Sequence, residues 1–166
     1  AGSIASGGGR LSIPGHFPTV EVPRLYSQKQ VWMEVSPNEK IALAQTVGER
    51  MAAADTHVVK ASTYFADSDE AVLIANTDGV MVEDIRPMTF LYANCAAEKG
   101  GKIETNGFSR SARRGPLYYT DALLSEIAQS AVDRTLLLFE ATVPPAGEMP
   151  VVLAPATSGI LLHEAM

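Results

Sequence analysis

Residues 56–113 alternate with a period of two, interrupted only by short turn signals. His57–Phe65, Ala71–Ala75, Val80–Ile85, Thr89–Ala97 and Lys102–Phe108 each read as a strand. Asp67-Ser68-Asp69, Asn76-Thr77-Asp78-Gly79 and Glu98-Lys99-Gly100-Gly101 lie between them as turns, and the Asp-Gly pair suits a tight hairpin. Parallel neighbours need a crossover of about a dozen residues or more, and none of these links is that long. The spacing therefore predicts an antiparallel meander of about four to five strands.

Helix signals flank this region. Ser36-Pro37-Asn38-Glu39 combines an N-cap, a proline at the first helical position and the acidic residue of a capping box. Ile41, Ala44, Val47, Met51 and Ala54 then recur at helical spacing, which predicts a helix to about Asp55. A second helix is expected from Thr120 to Ala141, with Leu124, Ile127, Ala128, Ala131, Thr135, Leu138 and Phe139 on one face and Pro144-Pro145-Ala146-Gly147 as its stop. Val31, Met33 and Val35 alternate as a short strand, and Met149–Ala154 reads as an apolar strand before a last helical turn at Ile160–Met166. The fold class is α+β: an antiparallel sheet with two main helices packed on it. Residues 1–29, rich in Gly and Pro, read as an irregular segment; 30–146 form the α+β domain, and 147–166 begin a further one.

Composition narrows the function classes. Thirteen basic against 19 acidic residues give a net charge of −6, the wrong sign for a general nucleic-acid binder. At 46% hydrophobic residues a packed core is within reach. The one cysteine, Cys95, cannot form an internal disulfide, which fits a reducing, cytoplasmic setting. No run of about 18 apolar residues is available to cross a membrane as a helix. No basic-then-apolar leader follows Ala1, so no secretory signal is expected.

The sharpest chemical feature is Ile160-Leu161-Leu162-His163-Glu164-Ala165-Met166. A His-Glu pair on a helix is the front half of a metallopeptidase motif, because an imidazole can ligate zinc while the neighbouring carboxylate takes a proton from water. The motif closes with a second histidine one turn onward, which this sequence does not contain. Read together with Pro145-Ala146-Gly147-Glu148-Met149-Pro150-Val151-Val152-Leu153, Pro155 and Gly159, the segment resembles the TldD branch of the TldD/PmbA family. Ile74-Ala75-Asn76-Thr77-Asp78-Gly79, Asp84-Ile85-Arg86-Pro87 and Ser36-Pro37-Asn38-Glu39-Lys40 extend the likeness over about residues 30–166.

The resemblance implies a zinc-dependent peptidase, from a family named for modulation of DNA gyrase. It implies His163 as first zinc ligand and Glu164 as the catalytic carboxylate of an HExxxH motif. It further implies peptide or unfolded-protein substrates, pairing with a sibling subunit or as a homodimer, and neither direct nucleic-acid nor membrane partners. The remaining ligands are absent, so the chain is expected to be an interior fragment: mostly an amino-terminal-type α+β domain and the start of the catalytic one. The alternative is a non-catalytic α+β interaction module that binds a partner subunit or gyrase.

Other positions have plainer readings. His57 beside Asp55 is an acid–base pair or a strand-end histidine, and His16 sits among prolines in a loop. Arg110, Arg113 and Arg114 form a small basic cluster, read as a solvated loop before a phosphate contact. Asp67, Asp69 and Glu70 lack the calcium-loop spacing. Asp84 and Arg86 suit a structural ion pair near a strand end, and Cys95 a small buried residue. Gly7–Gly9 has neither the preceding strand nor the Lys-Ser/Thr of a phosphate loop, and Ser158-Gly159 is no nucleophile elbow. One ligand cannot hold zinc tetrahedrally, so this chain alone is expected to bind zinc weakly and to cleave no peptide. Isothermal titration with zinc checks this: a tight stoichiometric isotherm would reveal a complete site within the chain.

Overall fold

Ser36 starts the first helix as its sequence dictates. The Ser36 N–H donates to Glu39 Oε2 at 3.0 Å and the Glu39 N–H donates to Ser36 Oγ at 3.3 Å, which closes a capping box ahead of α1 (Pro37–Ala54). The computed structural model describes residues 29–76, 78–155 and 158–165, together with Pro18, Val20, Pro23, Leu25 and Tyr26. After α1 come β1 (Val58–Ala75), β2 (Met81–Lys99), β3 (Lys102–Ala112), α2 (Asp121–Leu137) and α3 (Ser158–Ala165). The sheet is an antiparallel meander in the order β1-β2-β3. The architecture is α+β, with α1 and α2 packed on the sheet.

Among the described residues there are three strands where the turn signals predicted four to five. Asp67-Ser68-Asp69 does not turn: all three lie inside β1, opposite Thr89, Met88 and Pro87. Their polarity has other uses, since Asp67 pairs with Lys40 at 2.7 Å and Asp69 Oδ2 accepts the Met33 N–H at 3.0 Å. Arg86-Pro87 does not break the next strand either. The hairpin bond from the Asn76 N–H to the Val80 C=O sets the alternation of the ladder, and it turns the backbone groups of odd residues in this part of β2 away from β1. Pro87, which has no N–H, thus faces a side on which β3 has already ended, since β3 pairs no further than Ala112 with Thr89. The two turns predicted correctly are set by glycines at positive φ: Gly79 (84°), and Gly100 and Gly101 (61° and 80°).

Alternation in β2 decides where the core sits. Pro87, Thr89, Leu91, Ala93, Cys95 and Ala97 are buried beneath the helices. From above, α1 contributes Val47 and Met51, and α2 contributes Leu124, Ile127, Ala128, Ala131, Val132 and Thr135. The inward face of α1 is rotated from the predicted one, with Ile41 and Ala54 in solvent and Lys40 and Leu43 turned in. Two contacts set that rotation: Lys40 reaches Asp67, and the Thr63 hydroxyl donates to the Ala44 C=O at 3.1 Å. The last turn predicted for α2 tightens instead, with the Leu138, Phe139 and Glu140 N–H groups bonding three residues back.

Val31–Val35 is a 3-10 turn at Trp32–Glu34, not a strand. That geometry puts residues three apart on one side, so Trp32 and Val35 are both buried while Met33 points outward. Met149–Ala154 is not a strand: it carries no regular structure, and among the described residues no strand pairs with it. His16 and Gly7–Gly9 lie outside the described residues.

Gly107 answers to a packing constraint. A β-carbon there would stand 2.6 Å from the Ala93 carbonyl oxygen and 2.6 Å from the Tyr92 hydroxyl. A Tyr side chain can move but a backbone carbonyl in mid-sheet cannot, so Gly107→Ala is expected to destabilise the domain by about 1–3 kcal/mol. Urea unfolding measures the loss, and Tyr92→Ala in the same chain should recover only part of it.

Candidate functional site

His163 and Glu164 are consecutive residues of α3, and both are exposed. The Ser158 hydroxyl donates to the Ala154 C=O at the first turn of the helix. No residue of α3 is buried, and Ile160, Leu161 and Leu162 are 60%, 53% and 51% exposed. Before it, Val143 and Val152 stand at 93% and 97%. Among the described residues no group of three or more His, Cys, Asp or Glu side chains is placed to hold a metal ion.

The other sequence candidates resolve one by one. Asp55 and His57 do come together: Asp55 Oδ1 lies 2.7 Å from His57 Nδ1 and also accepts the His57 backbone N–H at 2.8 Å. That backbone bond, helped by the imidazole contact, holds the Asp55 carboxyl below its ordinary range. The pair opens on a shallow cleft of about 340 Å³, which Lys99, Glu140, Leu136 and Phe139 also line. Sequence reading found the pair but not the cleft, whose far wall is made by the end of α2.

The arginines do not form a patch. Arg110 pairs with Glu126 and stacks on Phe108 at 4.4 Å, and Arg113 lies over Tyr26 at 5.4 Å. Arg114 serves through its carbonyl, which accepts the Trp32 indole N–H at 2.9 Å. Asp67 and Asp69 share one face of β1 and Glu70 lies on the other, which is no cation loop. Arg86 Nε bonds Asp84 Oδ2 at 3.0 Å inside β2, away from any strand end, and that bond raises the guanidinium's pKa. Cys95 is fully buried and unbonded to another cysteine, and burial pushes its thiol upward.

An α+β domain whose exposed trailing helix carries His-Glu finds its likeness among known proteins. Residues 32–139 match the PmbA/TldA metallopeptidase central domain. A protein named a metalloprotease TldD homolog in Haemophilus influenzae is 32% identical over 95% of this chain and 34% of its own length. A second TldD homolog, from Buchnera aphidicola of Acyrthosiphon pisum, is 30% identical over 79% of this chain and 29% of its own. A solved structure from Thermotoga maritima, described as a candidate modulator of a DNA gyrase, superposes with a TM-score of 0.63 at 23% identity and shares the fold, covering 77% of this chain and 28% of that one. The chain belongs to the TldD/PmbA family. It spans about a third of the length of the curated relatives it matches. The matching domain is the family's central one, where the sequence alone had suggested an amino-terminal type.

The Asp55–His57 pair has a consequence for acid stability. A folded-state pKa below the unfolded value of about 3.9 means the contribution is present above that pH and fades as pH falls through the lower, folded value. The stability difference between the unaltered chain and Asp55→Asn should therefore be largest near neutrality and shrink toward pH 2. Urea unfolding across pH 2–7 measures it, and a difference that grows on acidification would contradict the assignment.

Proposed function

We propose that this chain is part of a metal-dependent peptidase, supplying the domain that stands before the catalytic unit together with that unit's first two functional residues. The observation that carries the reading is the family match over residues 32–139, with His163 and Glu164 following on an exposed helix of the same chain. In this reading His163 is a zinc ligand and Glu164 the proton-accepting carboxylate, with the other ligands contributed from beyond this sequence. The ion, when bound, would supply Lewis acidity to the scissile carbonyl. Relatives named as metalloproteases support peptide or unfolded-protein substrates.

The exposed apolar run from Val143 to Leu162 supports burial against further protein, whether the catalytic unit or a sibling subunit. A cytoplasmic location is part of the same proposal, supported by a single, buried, unpaired cysteine. Among the described residues no helix is long and apolar enough to cross a membrane.

The test is made in a protein of the relatives' full length that contains this chain. Glu164→Gln should lower peptide hydrolysis by about 10²–10⁴-fold with metal content unchanged. His163→Ala should lower both. Hydrolysis that survives Glu164→Gln at the unaltered rate removes Glu164 from the reaction.

A further inference from the structure

β1 and β2 continue well past the end of β3. Ser68–Ala75 opposite Met81–Met88 forms a two-stranded ribbon that projects roughly 25 Å at about 3.3 Å per residue. Its β2 side is a sheet edge, and the odd residues Met81, Glu83, Ile85 and Pro87 direct their backbone groups toward it. Pro87 at the ribbon's base is buried, but toward the tip Glu83 and Ile85 are exposed, and an edge of that kind is a template for another strand.

The chain already demonstrates the mode of pairing. The Val20 N–H donates to the Met81 C=O at 3.1 Å, and the Met81 N–H donates to the Pro18 C=O at 3.4 Å. Two bonds that straddle one residue of the neighbour are the pattern of a parallel bridge. Further along, Tyr26 sits under the Arg113 guanidinium at 5.4 Å and close enough to Arg86 to interact electrostatically. Pro18 and Val20 thus meet β2 at the ribbon's tip, and Tyr26 meets it near the base. Val20 is 42% exposed and Leu25 76% exposed.

Charge selects the class of guest. Glu70, Asp78 and Glu83 are exposed acids of the ribbon, while Asp84 is paired with its one basic residue, Arg86, and Asp69 holds the Met33 N–H. Exposed Leu73, Ile74 and Ile85 add apolar contact on its two faces. We propose that the Met81–Ile85 edge of β2 docks an extended, basic segment of another polypeptide by strand addition, where Pro18 and Val20 of the chain itself now bond Met81 as intramolecular stand-ins. Backbone bonds supply the pairing and the acidic ribbon supplies the preference for basic side chains. This site is separate from His163 and Glu164 and does not rest on the peptidase reading.

The experiment uses the full chain. In the unaltered protein, hydrogen exchange followed by NMR should show the Met81 amide protected at least about tenfold over its intrinsic rate. The probe is a fluorescein-labelled peptide with the sequence of residues 16–26 carrying Glu21→Lys, followed by anisotropy. A tethered stretch competes at an effective concentration in the millimolar range, so Val20→Pro, which deletes its donor, should tighten probe binding by about tenfold or more. Adding Met81→Pro should abolish that binding while the melting temperature holds, because Pro87 shows that a proline nitrogen is accommodated on this side of β2. The same peptide with Glu21 retained should bind more weakly and respond less to salt. The proposal is overturned by an unprotected Met81 amide, by a probe that binds neither chain, or by equal affinity with and without Met81→Pro. Equal affinity for the two peptides would overturn its basic preference.

Discussion

Trp32 is the point at which the separate elements become one domain. Its ring is fully buried, packs against Phe65 of β1 at 5.3 Å and meets Tyr119, just before α2, edge-on at 6.0 Å. Phe65 and Tyr119 close the triangle at 5.8 Å. The indole N–H, which could not be buried without a partner, reaches the Arg114 carbonyl at 2.9 Å. Lys40 of α1 stands over the same ring while it holds Asp67 of β1. A single side chain therefore ties the entry segment, the first helix, the sheet and the approach to the second helix. The Tyr119 hydroxyl continues the network to Thr89, the buried hydroxyl at which β3 ceases to accompany β2. Aromatic pairs contribute about 0.5–1.5 kcal/mol each beyond their buried area, so this cluster rivals a large share of a small domain's net stability.

What the sequence disclosed and what it concealed divide along a physical line. Signals that act over three or four residues were legible: the capping box at Ser36–Glu39, the Thr120 cap of α2 and the glycine hairpins. Signals settled by a distant partner were not. Asp67-Ser68-Asp69 has the composition of a turn, and only Lys40 and the Met33 backbone, far off in sequence, make it a strand interior. Trp32 alternates with its neighbours as a strand residue would, yet burying Trp32 and Val35 together on one side requires a tighter winding. For the candidate site, adjacency along the chain was enough to place His163 and Glu164 on one helix and Asp55 beside His57. The cleft next to His57, and the pairing of Pro18 and Val20 with Met81, depend on tertiary placement that no local pattern encodes.

The molecule has two regimes of surface. Within residues 32–139 one face of the sheet and the helices above it close a core, and a polar group buried there finds partners: Thr135 of α2 donates to the Ala131 carbonyl and reaches those of Cys95 and Asn106. From Val143 to Leu162 the balance reverses, and valines and leucines stand in water on a stretch with little regular structure. The boundary coincides with the end of the family match at residue 139. A domain that satisfies its own core is thus followed by a segment whose apolar side chains find no cover among the described residues.

The unequal strand lengths carry a mechanical corollary. The ribbon is anchored where Lys40 and the Met33 backbone hold Asp67 and Asp69, and beyond that neither helix braces it. It behaves as a cantilever: with a reach of roughly 25 Å, a rotation of about 10° at its root carries the Asp78–Gly79 tip through some 4–5 Å. Strain too slight to register in the helix-backed core would arrive at that tip magnified.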